Sequence, residues 1–176
     1  MLRDIFYICG PNLLSGLYFR LGINLVPESK RPVDMGGVQK VCVLAASGTG
    51  DLMTLRPMIM SLRRGIPDVQ IIFVLSSHEA GDELEDGMAD KVIALDEKRA
   101  FRKIRDEWPD LAIAAGSGFV YAKMAFRTGA RYRLGFRYDH EDKRDTGFMF
   151  THAVPMDTFK DKAEQKLDLI RLPGFF

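Results

Sequence analysis

The sequence predicts an α/β fold: a single Rossmann-like domain with a mostly parallel sheet and helices on both faces. From residue 38 onward, short apolar segments rich in β-branched residues alternate with segments of helical periodicity, which is typical of successive βαβ units. Two glycine turns, 48–50 and 116–118, each follow an apolar segment and precede a helical one, as at the carboxyl ends of parallel strands. The 176 residues, 47% of them hydrophobic, suit one core of this size.

The first 26 residues predict an amphipathic helical arm. The uncharged segment 5–19 is broken by Gly10-Pro11 and is shorter than the roughly 20 residues that a membrane-spanning helix needs. Its apolar stripe is a candidate partner-binding surface, made of Leu13, Leu14, Leu17, Tyr18 and Leu21. The stripe could pack on the chain's own domain, on a partner protein or on a membrane surface, and the sequence leaves these alternatives open.

Residues 27–37 contain two prolines, two glycines and four charges and predict a linker. The main domain follows as residues 38–176. Its predicted strands are 41–46, 70–75, 91–94, 111–115, 132–136 and 149–154. A helix is predicted directly after the first glycine turn, from the spacing of Leu52, Leu55, Ile59 and Leu62. The other predicted helices are 79–87, 99–107, 120–128 and 160–172.

Composition narrows the classes of partner. Lys and Arg number 25 against 24 Asp and Glu, so the whole chain offers no field for nucleic acid or an anionic membrane, and electrostatic partners must be sought locally. Cys9 and Cys42 lie in apolar segments without ligand spacing, which is typical of reduced thiols in a cytoplasmic protein. The histidines stand in separate segments, and we expect neither a metal site nor a cofactor.

The first glycine turn is the strongest candidate for chemistry. Its backbone amides and the dipole of the following helix favour an anion there. The dinucleotide fingerprint fails because Met53 stands where a third glycine is needed, and the phosphate-loop ending is absent. A ligand-binding cleft is nevertheless predicted between the two turns. Its candidate residues are Ser47, Gly48, Thr49, Gly50, Asp51 and Ser117. Alternatively, the glycines only permit tight turns and Asp51 caps its helix.

A second candidate is basic. Arg131 and Arg133 alternate along a predicted strand, so they are expected to project on one face and could fork onto phosphate or carboxylate. The acidic loop that follows, with Asp139, Glu141, Asp142 and Asp145, could instead neutralise them as solvated pairs.

Together these segments resemble glycosyltransferase family 9, the heptosyltransferases of lipopolysaccharide core assembly. The resemblance begins with Ser47-Gly-Thr-Gly-Asp51 and Pro57, continues through Ser61-Leu-Arg-Arg-Gly-Ile-Pro-Asp68 and Arg127-Thr-Gly-Ala-Arg-Tyr-Arg-Leu-Gly-Phe136, and ends with Glu164-Gln-Lys-Leu-Asp-Leu-Ile-Arg171. It covers Lys40 to Gly174 and implies the amino-terminal, acceptor-binding half of a two-domain GT-B enzyme. It also implies that Asp51 is the general base that deprotonates the acceptor hydroxyl.

Several positions depart from the family pattern. Leu55 stands where the family has a hydroxyl residue, Ala114-Ala-Gly-Ser117 replaces a polar motif after the fourth strand, and Asp161 replaces a histidine. The family's donor-binding half is expected to be missing. The first hypothesis is therefore a non-catalytic assembly subunit, docking through the arm and the former interdomain face onto a larger complex, peripherally at the inner face of a membrane in one version. The alternative is an acceptor-binding enzyme half that acts with a separate or truncated donor domain.

Overall fold

The computed structural model describes residues 33–45, 52–77, 84, 87–137 and 149–171. The strands found there are β1 Lys40–Leu44, β2 Gln70–Leu75, β3 Lys91–Ala94, β4 Leu111–Ala114, β5 Tyr132–Arg137 and β6 His152–Pro155. The α-helices are α1 Arg56–Gly65, α2 Ala100–Asp106, α3 Phe119–Thr128 and α4 Lys162–Arg171. The strands form one sheet in the order β3-β2-β1-β4-β5-β6, and each neighbouring pair is parallel. This is the doubly wound Rossmann order.

Helices cover both faces of the sheet, so the predicted fold class is confirmed. Alternate side chains of each strand point to opposite faces: in β1, Val41 and Val43 join the cluster under α1 and α4, whereas Cys42 and Leu44 join the cluster under α2 and α3. The Cys42 side chain is fully buried, and burial raises the pKa of its thiol to about 12.

The predicted strands are found within one or two residues of their expected bounds, except β6. Residues 149–151 were expected in that strand but precede it. The Thr151 hydroxyl accepts the Arg133 backbone N–H at 2.8 Å, and Arg133 Nε donates to the Met149 carbonyl at 2.7 Å. The Thr151 N–H still donates to the Arg133 carbonyl at 2.9 Å, but the Arg133 N–H is taken by the Thr151 hydroxyl instead of a backbone carbonyl, so the regular pairing with β5 begins at His152.

The helices α2 and α4 begin one and two residues later than predicted for local reasons, whereas α3 begins one residue earlier, at Phe119. Arg99 has a φ of +64°, outside the helical region, so α2 begins at Ala100. Asp161 precedes α4 and its carboxylate accepts the Ala163 N–H at 2.8 Å, which is an N-cap contact. A short 3-10 turn, Met53–Leu55, precedes α1. All four apolar residues of the predicted spacing are buried: Leu52, Leu55, Ile59 and Leu62.

The amino-terminal arm and most of the predicted acidic helix 79–87 lie outside the described residues. Within the predicted linker, Val33 is buried in the cluster under α1 and α4. In the part of the chain that the structure covers, no helix has the length and hydrophobicity required to cross a membrane.

Candidate ligand-binding site

The carboxyl ends of β1 and β4 define the candidate site. The Ala115 N–H donates to the Leu44 carbonyl at 3.0 Å, and the Ala45 N–H donates to the Val74 carbonyl at 2.9 Å, so the strands stay paired up to this edge. The chain leaves β1 toward β2 on one side, and β4 lies on the other side. This is the topological switch point, where open α/β sheets place a crevice for ligands.

The first glycine turn, Ser47 to Gly50, and Asp51 lie outside the described residues. Their neighbours on both sides are described: β1 ends at Leu44, and the turn before α1 begins at Met53. The predicted strand and the predicted helix are therefore found on either side of these residues.

The second glycine turn is closely packed by an aromatic ring. A Cβ atom on Gly116 would stand 2.1 Å from the Tyr121 ring, so only glycine lets the ring lie against this backbone. Gly118 has φ +88° and ψ 176°, a conformation that is essentially restricted to glycine. Ser117 lies between them and is half-buried. The turn thus brings Ser117 to the predicted edge, with Tyr121 beside it.

Lys166 of α4 also reaches this edge. Its Nζ donates to the Ala115 carbonyl and lies 5.3 Å from the centroid of the Phe136 ring. Lys166 was not among the site residues that the sequence predicted. Its spacing of three from Ala163 and four from Ile170, which is buried, could have shown that it lies on the inward side of the helix.

Arg131 and Arg133 do not join Ser117. In the β4–β5 register, Leu111 is opposite Tyr132, so both arginines stand at the amino end of β5 and Ser117 stands beyond the carboxyl end of β4. At about 3.3 Å per residue, this separation is on the order of 20 Å. The structure therefore places Ser117 and the two predicted arginines at opposite ends of the strands.

The expectation that the two arginines share a face is wrong. The Arg131 guanidinium lies 5.0 Å from the centroid of Tyr132, which packs on the cluster under α1 and α4. The Arg133 guanidinium lies 5.5 Å from the centroid of Phe126, in the opposite cluster. Arg133 also donates to two backbone carbonyls, those of Ala130 and Met149. The physical reason is that Arg131 precedes the strand, where strand alternation does not apply.

Other titratable groups belong to structural contacts. The Lys91 side chain donates to Glu107, and this hydrogen bond, with the nearby charges of Lys91 and Lys40, holds the pKa of the Glu107 carboxyl below its usual value. A hydrogen bond to Asp168 raises the pKa of Lys160. Among residues with described side chains, no group of three or more His, Cys, Asp or Glu could hold a metal ion.

No protein-family model and no curated protein matches this chain. Several solved structures do match it in fold. E. coli heptosyltransferase WaaC with ADP matches with a TM-score of 0.66 and 14% identity, over 77% of this chain and 47% of that enzyme. A glycosyltransferase family 9 protein from Veillonella parvula matches with a TM-score of 0.67 and 14% identity, over 82% and 43%. E. coli ADP-heptose LPS heptosyltransferase II matches with a TM-score of 0.62 and 16% identity, over 74% of this chain and 40% of that enzyme.

The matches confirm the predicted likeness of fold to the heptosyltransferases. The chain spans less than half the length of these solved structures, which fits the amino-terminal half that the sequence predicts. At this identity the shared property is the fold.

Proposed function

We propose that this chain is a non-catalytic structural or assembly subunit, built on a glycosyltransferase-type half-domain and docking onto a larger protein assembly. The observation that supports it best is that the chain's own side chains occupy the carboxyl end of β4. The Tyr121 ring lies where a Cβ of Gly116 would be, and Lys166 bonds the Ala115 carbonyl. A sugar or phosphate at this edge would have to displace both contacts.

The positions that depart from the family pattern have structural roles here. Leu55 is 1% exposed and packs in the core, so a hydroxyl there would be buried among apolar groups. Asp161 caps α4 through the Ala163 N–H. Ala114 is buried within β4. These side chains stabilise the fold and offer nothing to an acceptor, which supports a binding role for the domain.

The proposed docking element is the arm, residues 1–26, with its stripe of Leu13, Leu14, Leu17, Tyr18 and Leu21. An apolar stripe of this size is a suitable surface for a partner protein. The former interdomain face, at the carboxyl edge of the sheet, is the second proposed contact. Met53 and Val120, which begin the segments after β1 and β4, are 51% and 64% exposed.

The test is purification of the full chain from its native source, beside two variants. We expect stoichiometric recovery in one complex for the unmodified chain and for D51N, and loss of that complex when residues 1–26 are removed. Circular dichroism of the shortened variant checks that the domain is still folded. Recovery of the full chain alone, or with a donor-domain polypeptide that transfers sugar, would contradict the proposal.

One observation favours a second function, the acceptor-binding half of a heptosyltransferase-like enzyme. The carboxyl ends of β1 and β4 meet at the topological switch point, and in the sequence a glycine turn that ends on Asp51 follows β1. In this case Asp51 is the general base that removes the acceptor proton. The test is transfer from a nucleotide sugar in the presence of a donor domain. D51N should lower the rate at least about 100-fold, whereas D68N, which changes an exposed acid at the opposite edge before β2, should not.

A further inference from the structure

The helical layer formed by α2 and α3 concentrates positive charge. Between Glu97 and Asp106 the chain has bases and no acid, and from residue 111 to residue 137 it again has no acid. We define the basic face as Lys98, Arg99, Arg102, Arg105, Lys123 and Arg127. Because the whole chain has a net charge of only +1, the remainder is net negative and the molecule is electrically asymmetric.

Four of these bases lie on α2 and α3, and the exposed Lys98 and Arg99 directly precede α2. Ala100 and Ile104 of α2 and Ala122 and Ala125 of α3 face the sheet and are buried, so the charged side chains lie on the outer side. At the seam the Arg127 guanidinium stands 3.9 Å from the centroid of the Phe101 ring. Arg105 reaches Gly129, at the end of α3. The seam therefore joins the bases of both helices.

Little of this charge is neutralised by neighbouring acids. Arg102 stands 3.9 Å from Asp106, in a pair whose side chains are 65% and 70% exposed, and such pairs are weak. For the other five bases, no ion pair with a carboxylate occurs within the residues that the structure describes. Within the described part of the chain, no carboxylate therefore competes with an external anion for these five bases.

We propose that the basic face binds the surface of a bilayer that contains anionic phospholipids. This inference stands apart from the proposed function, because it rests on α2 and α3 and on neither the arm nor the glycine turns. Several bases spread over two adjacent helices suit a plane of negative charge, which attracts each Lys or Arg near its surface. Phosphate headgroups also match the fork of an arginine.

An exposed indole favours a bilayer over a nucleic acid. Trp108 follows α2 by two residues, its backbone N–H donates to the Arg105 carbonyl at 3.0 Å, and 77% of the residue's surface is exposed. Tryptophan is enriched at the membrane interface, where its apolar ring and its N–H are both accommodated. Trp108, a residue type that membrane interfaces favour, thus lies at the border of the basic face.

The test measures partition of the full chain onto phosphatidylcholine vesicles with and without phosphatidylglycerol. The variant K98Q/R99Q/K123Q removes three bases that have no ion pair among the described residues. Since each basic residue near an anionic surface strengthens binding about fivefold, we expect this variant to bind anionic vesicles on the order of 100-fold more weakly. Added salt should weaken binding of the unmodified chain.

The matched control is R64Q/K162Q/R171Q, which removes the same charge from α1 and α4 on the other face. We expect it to lose less than about fivefold in partition. Three results would overturn the proposal: no preference for vesicles with phosphatidylglycerol, equal losses in both triple variants, or tighter binding of the unmodified chain to a DNA or RNA oligonucleotide than to the anionic vesicles.

Discussion

Gly135 is packed within β5 against a buried ring. A Cβ atom there would stand 2.1 Å from the Phe150 ring, and Phe150 is itself 2% exposed, so the ring has no solvent-filled space to move into. We expect G135A to lower the free energy of unfolding by about 1–3 kcal/mol, measured by urea denaturation. The control is G36A, where the nearest atom is 3.6 Å away and the change should stay within about 0.5 kcal/mol. Equal stability of G135A and the unmodified chain would contradict the packing.

Glu107 links the amino ends of β1 and β3 through Lys40 and Lys91. Because the hydrogen bond from Lys91 lowers its pKa in the folded state, the ion pairs stabilise the fold above the ordinary glutamate pKa, and this stabilisation is lost as pH falls through the lowered value. We expect E107Q to cost about 0.2–1 kcal/mol at neutral pH, and this cost should shrink toward zero as pH falls below the ordinary glutamate pKa and through the lowered one. Urea denaturation across this range measures it, and a constant difference down to acid pH would mean that packing, not charge, carries the effect.

The sequence predicted the position of Ser117 correctly, but it did not predict which groups the side chain of Arg133 contacts. Ser117 lies at the expected edge of the sheet, because it directly follows a buried strand and so must stand near the carboxyl end of that strand. Arg133 was expected to face a ligand, yet its guanidinium bonds two backbone carbonyls. One acceptor, the Ala130 carbonyl, lies three residues earlier, but the other belongs to Met149, sixteen residues later in the chain, and periodicity carries no information about such a distant partner.

Elements were predictable where local pattern and tertiary packing agree. The bounds of β2 and β3 match the prediction, since apolar segments between polar turns leave little choice of register. The predicted start of β6 was wrong because the Thr151 hydroxyl accepts the Arg133 N–H, which a backbone carbonyl would accept in a regular ladder, although the Thr151 N–H still bonds the Arg133 carbonyl. Threonine is common in strands, so the sequence does not show that this hydroxyl takes the place of a backbone acceptor.

The helix α3 is bounded by two glycines in different backbone regions. Gly118 before it has φ +88° and ψ 176°, and Gly129 after it has φ +79° and ψ 4°. Other residues enter the left-handed helical region of Gly129 at about 1–2 kcal/mol, whereas the region of Gly118 is essentially restricted to glycine. We expect G118A to destabilise the protein by about 2–3 kcal/mol and G129A by about 1 kcal/mol. G129N should be milder than G129A, because asparagine tolerates this conformation. Thermal unfolding of the three variants ranks them, and a reversed order of G118A and G129A would contradict the backbone argument.

The whole molecule combines a predictable architecture with an unpredicted surface. Right-handed βαβ crossovers limit the strand orders that are possible once the elements are known, and the observed order puts the carboxyl ends of β1 and β4 side by side. The balanced total of charges gave no sign of the basic face, because α2 and α3 become neighbours only when both pack on the same side of the sheet. The separation of charges arises only on the folded surface, and the total number of acidic and basic residues does not show it.

Cys42 offers a measure of global opening, since it lies at the centre of the sheet. It is fully buried in β1, between β2 and β4, and its raised thiol pKa, about 12, leaves almost no reactive thiolate at neutral pH. In a C9S variant, where Cys42 is the remaining thiol, we expect labelling by a disulfide reagent to be at least about a thousandfold slower than in the urea-unfolded chain. Adding G135A should speed native labelling by about 5- to 150-fold, in proportion to its loss of stability. The same labelling rate in both backgrounds, despite a measured difference in stability, would show that Cys42 is reached by local opening of the sheet and not by global unfolding.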